Sequence, residues 1–292
     1  MSDTLFGSDN SAGRRRAMLR TAMGTTIAAA LADPMVIEIM VNPDGVLRLD
    51  RLGEGRIDTG TKYEPAQVER IIRLVASHAR TEVHGNAPIV SAELPPVSLA
   101  PCFSIRKPAA RIYTLLDYVR DGIMLADTAR LLSMAVVERK NILVAGGTSS
   151  GKTTLANALL AEMAHLDERV IIIEDTRELQ CAAPDVVGLR TRTIGTAGAG
   201  GVTMADLVRS TLRLRPDRIV VGEVRGREAL DMLKAWNTGH PGGIATVHAN
   251  SAVSALYRLE QLVQESVVTV PRRLIAESID MIVFIAGRGL AR

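Results

Sequence analysis

Aromatic residues are scarce in this chain: one Trp, four Tyr and three Phe make up 3% of its 292 residues. An interior built with so few rings has to be aliphatic, and 47% of the chain is hydrophobic. That composition suits buried parallel strands in an α/β protein, and speaks against a nucleic-acid reader that stacks bases on aromatic platforms. Cysteine is rarer still. Cys102 and Cys181 stand far apart without any C-x-x-C spacing, so a zinc site is excluded and the two read as free thiols in a reducing cytoplasm. No uninterrupted apolar run is long enough to span a bilayer, and no internal repeat or low-complexity segment occurs. Charge is close to balanced, at +3, which permits contact with an anionic membrane surface or nucleic acid without demanding either. The length leaves room for two domains, each with its own core.

What the chain does have is Ala145-Gly-Gly-Thr-Ser-Ser-Gly-Lys-Thr-Thr154. Gly146, Gly147, Thr148, Ser149, Ser150, Gly151, Lys152 and Thr153 fit G-x-x-x-x-G-K-[ST], the phosphate-binding loop, with Thr154 following in the helix. Glycines let the backbone curl so that successive N–H groups face phosphate oxygens. Lys152 would set its ammonium against the β- and γ-phosphates of ATP, and the Thr153 hydroxyl would sit on Mg2+. Context supports the motif: Asn141–Ala145 reads as a buried strand and Thr153–Met163 as a helix, which puts a helix N-terminus beneath the phosphates.

Three more apolar runs end in polar residues. Arg169–Asp175 ends in Glu174 and Asp175, Arg218–Glu223 in a carboxylate and Gly243–His248 in a histidine. Ligands of open α/β sheets lie at the carboxyl ends of the strands, so these side chains should converge beside the loop. Glu223 is the candidate for activating water, with a cap on the following helix as the alternative role. Glu174, ahead of Asp175, is the candidate for the Mg2+ shell through water. His248 would sense the γ-phosphate, or else be a buried, hydrogen-bonded strand-end histidine. Arg106, Arg209, Arg213, Arg225 and Arg227 are the cations that could meet transition-state charge, from the same or a neighbouring subunit.

Ahead of the loop, residues 1–12 are polar. Arg14-Arg-Arg16 and the Thr- and Ala-rich stretch to Ala32 read as an amphipathic helix with a basic face; Arg20 interrupts the apolar region an export signal would need. Val36–Val41 and Val46–Leu49 flank Asn42-Pro-Asp-Gly45 as a hairpin, and Gln67–Val83 is a helix packed on it through Val68, Ile71, Ile72 and Val75. His78 and His84 read as ordinary surface or packing residues. The segment from Ala87 to Lys107 is extended and broken by prolines. These features give an α+β domain over 1–112, a connection over 113–124 that includes Thr114–Gly122, and a second domain over 125–292 opened by a helix around Leu125–Glu138.

The loop, Ile173–Leu179, Leu212–Gly226 and Asn237–Ser251 resemble, in that order, the Walker A, Asp box, Walker B and His box of the ATPases of type II and type IV secretion systems. Leu233–Gly243 and Leu259–Pro271 are similar to conjugal-transfer members. The resemblance is looser before residue 87. It implies a RecA-like P-loop ATPase domain after a smaller N-terminal domain, with ATP and Mg2+ between them. It also implies a hexameric homo-oligomer, peripheral at the cytoplasmic face of the bacterial inner membrane and joined to secretion machinery there. Lys152 and Thr153 match the Walker A pair, Glu174 the Asp box, Glu223 the Walker B glutamate and His248 the His box. Arg106 matches an N-terminal-domain arginine that reaches the phosphates. Two departures stand out. A short Gly- and Arg-containing stretch usually separates segments like Ala92–Pro95 and Pro96–Ser98, which abut here, and a further tail is expected after Gly287–Arg292. The function implied is a motor for conjugative type IV secretion. The alternatives are a motor for a type IV pilus or type II secretion, and a ring scaffold that binds nucleotide without hydrolysing it. Direct DNA contact is left open.

Overall fold

Residues 21–79, 89–107, 112–192 and 200–287 are described by the computed structural model of the chain. They belong to two units, Met1–Ala110 and Arg111–Arg292.

In the first unit, residues 21–32 form a helix, α1. Arg14 to Arg16 and Arg20, the expected basic face, lie outside the described residues. Next come β1 (Val36–Val41), β2 (Val46–Arg51), β3 (Gly55–Lys62), α2 (Pro65–Ala79), β4 (Ile89–Glu93) and β5 (Cys102–Arg106). They make an antiparallel sheet in the order β3-β2-β1-β5-β4. The hairpin turns where the Gly45 N–H donates to the Asn42 carbonyl at 2.8 Å. Gly45 has φ +78°, and a Cβ there would lie 2.3 Å from the Tyr63 carbonyl oxygen, so the turn requires glycine. Alternation along the strands sends Ile39, Leu47, Leu49, Phe103 and Ile105 to one face, where Met23 and Ile27 of α1 and Val68 and Ile71 of α2 cover them. The expected α2 ran to Val83; residues 80–88, with His84, are outside the described residues, as is the His78 side chain.

The second unit opens with α3 (Leu115–Arg120) and α4 (Ala126–Val137). The stretch 113–124 was expected to be a connection. It is instead a helix closed by a capping box: Thr114 accepts the Asp117 N–H at 3.2 Å, and Asp117 accepts the Thr114 N–H at 3.0 Å. Leu115 and Tyr118 are buried in this unit's core, so burial, not propensity, makes it structure. Then follow β6 (Ile142–Gly146), α5 (Lys152–Ala161) with a 3-10 turn at Glu162–His165, β7 (Arg169–Glu174), β8 (Asp185–Arg190), α6 (Met204–Thr211), β9 (Arg218–Val224), α7 (Glu228–Asn237), β10 (Ile244–His248), α8 (Ala252–Gln264), α9 (Arg272–Ser278) and β11 (Met281–Ile285).

These six strands are all parallel, in the order β11-β6-β10-β9-β7-β8. Both faces are covered. Leu143, Ala145, Ile171, Ile173, Ile219 and Val221 pack against the α6–α9 side, while Ile142, Val144, Val170, Ile172 and Val220 pack against the α3–α5 side. Continuous apolar runs are what such strands need. Trp236 of α7 is buried, donates its indole N–H to the Ile219 carbonyl at 3.0 Å, and lies against Gly243, whose missing Cβ would sit 2.0 Å from the indole nitrogen.

Candidate functional site

The order β6, β10, β9, β7 sets four carboxyl strand ends side by side. β6 gives way at Gly146 to the loop that leads into α5. A Cβ at Gly146 would come within 2.5 Å of the Ser150 hydroxyl and 2.7 Å of the Ile285 carbonyl, so only glycine lets the loop close against β11. Ser149 (φ +57°) and Gly151 (φ +100°) are left-handed, which turns the backbone into the helix. No side chain caps α5, leaving its first N–H groups for an anion. The Ser150 hydroxyl is buried without a hydrogen-bond partner.

Lys152, 7% exposed, folds back to donate from Nζ to the Gly147 carbonyl at 2.8 Å and lies 3.2 Å from His248 Nδ1. The same ammonium is 3.5 Å from Nε2, and because it can only donate, the ring nitrogen that receives it must be unprotonated. Nε2 is 2.6 Å from Glu223 Oε1, a buried oxygen on which no hydrogen bond is well aligned. Glu223 Oε2 accepts from the Arg225 guanidinium. Burial pulls the Lys152 ammonium below its usual value; Glu223 opposes this, Arg225 adds to it and Glu178 opposes it. His248 is likewise held below its ordinary value by burial, aided by Lys152, Arg225 and Arg258 and opposed by Glu223, so at neutral pH the ring is uncharged.

Glu223 reaches this position through a bulge. Between Ala245↔Val221 and Val247↔Val224, β9 advances three residues while β10 advances two. Such an extra residue re-aims a side chain at a strand end. Thr246 Oγ1 donates to the Gly222 carbonyl at 2.7 Å and fixes the irregularity. The helix cap considered for Glu223 is not made: α7 starts after Arg227 without a side-chain cap, and buried Glu228, its first residue, accepts the Arg225 and Gly226 N–H groups of the turn ahead of it at 2.7 and 2.8 Å.

Glu174, 5% exposed, ends β7. Its Oε1 accepts the N–H groups of Glu178 and Leu179, both at 2.8 Å. Burial pushes its carboxyl up, and those two N–H groups oppose the rise. A Cβ on Gly222 would lie 2.9 Å from Glu174 Cγ, so the carboxylate is seated against β9 through that glycine. Asp175 turns away and accepts the Thr191 hydroxyl at 2.9 Å.

The structure thus brings together Lys152, His248, Glu223 and Arg225, with Glu174 one strand further on. Thr153 and Thr154 are half-buried in the first turn of α5. The other arginines are elsewhere. Arg209 pairs with Asp231 at 2.9 Å, Arg213 lies beyond the end of α6 and not on it, and Arg227 immediately precedes α7. Arg106 ends β5 in the first unit, opposite Glu38 and Ile89 in register.

Sequence reasoning missed Asn157. This buried amide on α5 accepts the Gln180 N–H at 2.8 Å and donates to the Glu178 carbonyl at 3.2 Å, tying the segment after Glu174 to the loop's helix. A lone amide inside the apolar run Leu155–Leu160 was its signal.

No three His, Cys, Asp or Glu side chains cluster as a metal site among the described residues, and no helix there is long and apolar enough to cross a membrane. The arrangement can take a polyanion at the loop, against Lys152 and the free N–H groups, with a carboxylate and a neutral histidine beside it.

Residues 79–288 match the family model described as type II/IV secretion system protein. The conjugal transfer protein TrbB of Rhizobium radiobacter is 45% identical over 287 residues, covering 94% of this chain and 86% of that one. The type IV secretion system protein VirB11 of Bartonella henselae is 33% identical over 290 residues, with 82% and 80% covered. In fold, the chain is similar to the pilus retraction motor PilT with bound ADP, at a TM-score of 0.59 and 20% identity over 89% of this chain and 76% of that one.

Proposed function

The chain belongs to the type II/IV secretion system protein family, and on that premise we propose that it is an ATP-hydrolysing motor of a conjugative type IV secretion system. The observation that carries the reading is the buried Lys152 ammonium at the uncapped start of α5, sharing His248 with Glu223. Similarity to a conjugal transfer protein favours conjugation over pilus retraction or type II secretion.

The second unit is read as RecA-like, with the nucleotide phosphates on Gly146 to Thr154. The residues fit that ligand: an uncapped helix end, two left-handed turns, and a buried hydroxyl on Ser150 that lacks a partner. Mg2+, held by the Thr153 hydroxyl and through water by the remaining oxygen of Glu174, would neutralise phosphate charge. Lys152 exchanges the Gly147 carbonyl for phosphate oxygen. Glu223 takes a proton from the water that attacks the γ-phosphorus while the bond to the bridging oxygen breaks, leaving ADP and inorganic phosphate. His248, neutral and 2.6 Å from Glu223, responds to the departing phosphate.

Arg106, from the first unit of the same or a neighbouring subunit, is assigned to complete the charge on the γ-phosphate. The active form is read as a hexameric ring, peripheral at the cytoplasmic face of the inner membrane. Loss of γ-phosphate contacts on hydrolysis would change the angle between the units.

Phosphate release by the purified chain with Mg2+ and ATP tests this. Lys152→Ala should remove turnover, and Glu223→Gln should retain nucleotide while turnover falls about 10²-fold or more, with far-UV circular dichroism unchanged in both. Equal loss of affinity and turnover in Glu223→Gln would make it a binding residue, and normal hydrolysis in Lys152→Ala would remove the loop from the mechanism.

A further inference from the structure

We infer that Arg218 is a positioning residue for the nucleotide site: from the amino ends of the strands it fixes the register at which the carboxyl ends meet. The inference rests on the ATPase reading for its activity readout. Its geometry is independent of it.

Arg218 is the first residue of β9 and is 1% exposed. Its Nε lies 2.5 Å from Oε2 of Glu168, the residue before β7. Its Nη1 donates to the Val136 carbonyl at 2.8 Å, in the last turn of the helix leading to β6. The same nitrogen reaches the Gly242 carbonyl at 3.4 Å, just ahead of β10. One guanidinium therefore joins β9 to the segments ahead of β6, β7 and β10, and the far ends of these four strands lead into the loop of Lys152 or carry Glu174, Glu223 and His248. The fit is close. Gly242 is left-handed, and a Cβ on it would lie 2.7 Å from Nη1.

Stability alone does not explain this arginine. Desolvating a guanidinium and a carboxylate commonly costs as much as their attraction returns, and well-packed apolar side chains do as well or better. Arg218 Nη2 is also buried without a partner, an expense an apolar residue would avoid. What the network supplies is geometry. It is needed most between β9 and β10, where the bulge interrupts the ladder that would otherwise set Glu223 against His248. Five residues separate Arg218 from Glu223, roughly 17 Å of strand. A slip transmitted along a stiff strand displaces the carboxylate, and misplacement by about 1 Å is enough to cost on the order of 10²-fold in rate.

The test removes the Arg218–Glu168 pair, Arg218→Met with Glu168→Gln in the full chain, beside the wild type, Arg218→Lys and Glu168→Gln alone; the last controls for Arg139, which also pairs with Glu168 at 2.9 Å and keeps Asp217 at 3.8 Å. We expect the double variant to fold and to bind ATP within about 3-fold of the wild-type Kd, because the loop is local to β6 and α5. Turnover per bound nucleotide should fall at least 10-fold at unchanged KM, with Arg218→Lys in between. A second readout is the titration of His248, followed by mass spectrometry of its ring-carbon hydrogen exchange. The groups that face it are Glu223, Lys152, Arg225 and Arg258. Retreat of Glu223 should move that titration to lower pH. A folded double variant with wild-type turnover and wild-type His248 titration overturns the inference, as does loss of affinity and turnover by one common factor. If the wild type itself hydrolyses no ATP, the motor reading fails, and the His248 titration still decides the role of Arg218.

Discussion

The two sheets of this chain handle polar side chains in opposite ways. In the first unit, among the described residues, helices cover one face, and Glu38, Arg48, Asp50 and Ser104 alternate with core residues along the strands. In the second unit both faces are covered, and Ile142 to Ala145 or Val170 to Ile173 leave no position for a polar group. Chemistry is forced to the strand ends. The lesson is that the parallel sheet concentrates its polar side chains at two edges, one for the ligand and one for the Arg218 network, whereas the antiparallel sheet spreads them over a surface.

The comparison can be broken most severely by Ile172→Asp, which puts a carboxylate in a strand buried on both sides. It should lower the stability of the second unit by upwards of about 4 kcal/mol in denaturant unfolding. A loss below about 1 kcal/mol would mean that the sheet is more open than its burial indicates.

A subtler change concerns Glu174, at the rim of the same sheet. Its pKa is raised in the folded chain, so the ionised form is the one that folding disfavours. Above the folded pKa the wild type carries a buried charge that Glu174→Gln lacks, and the variant should match or exceed the wild-type Tm at pH 7. That advantage should begin to shrink as pH falls through the folded pKa and vanish below the ordinary carboxyl value, where both the folded and the unfolded chain carry a neutral Glu174. A variant less stable at pH 7 would show that the charge on the two N–H bonds outweighs burial. The smallest effect belongs to the first sheet: Ser91→Lys, at an exposed position of edge strand β4, should change stability by less than about 0.5 kcal/mol.

The same difference explains what could be read from the sequence. β6, β7, β9 and β10 were legible because full burial writes continuous apolar runs, each stopping at the residue that reaches the site. The hairpin was legible from its Pro-Asp-Gly turn. β3 was not, since Gly55, Gly60 and alternating polar residues leave no apolar run, and only pairing with β2 makes it a strand. The helix at Leu115–Arg120 was mistaken for a connection, although Thr114 and Asp117 have the spacing of a capping box. Lys152 is read from the phosphate-loop motif, and His248 and Glu223 from topology, as strand ends beside that loop. Arg218, Asn157 and Glu228 could not be read in this way, because the first two act through groups far away in sequence and Glu228 acts through the backbone of a turn that the sequence does not reveal.

Trp236 gives the second unit an optical signature of its own. It is the sole tryptophan of the chain, and it is sealed between a β9 carbonyl and Gly243. Its emission should be blue-shifted in the folded protein and red-shifted when α7 parts from the sheet. Excited where indole absorbs and phenol does not, the intact chain reports the melting of one unit while the other stays dark. Far-UV circular dichroism sees both units together. The gap between the two curves would tell whether they unfold as one body or in turn.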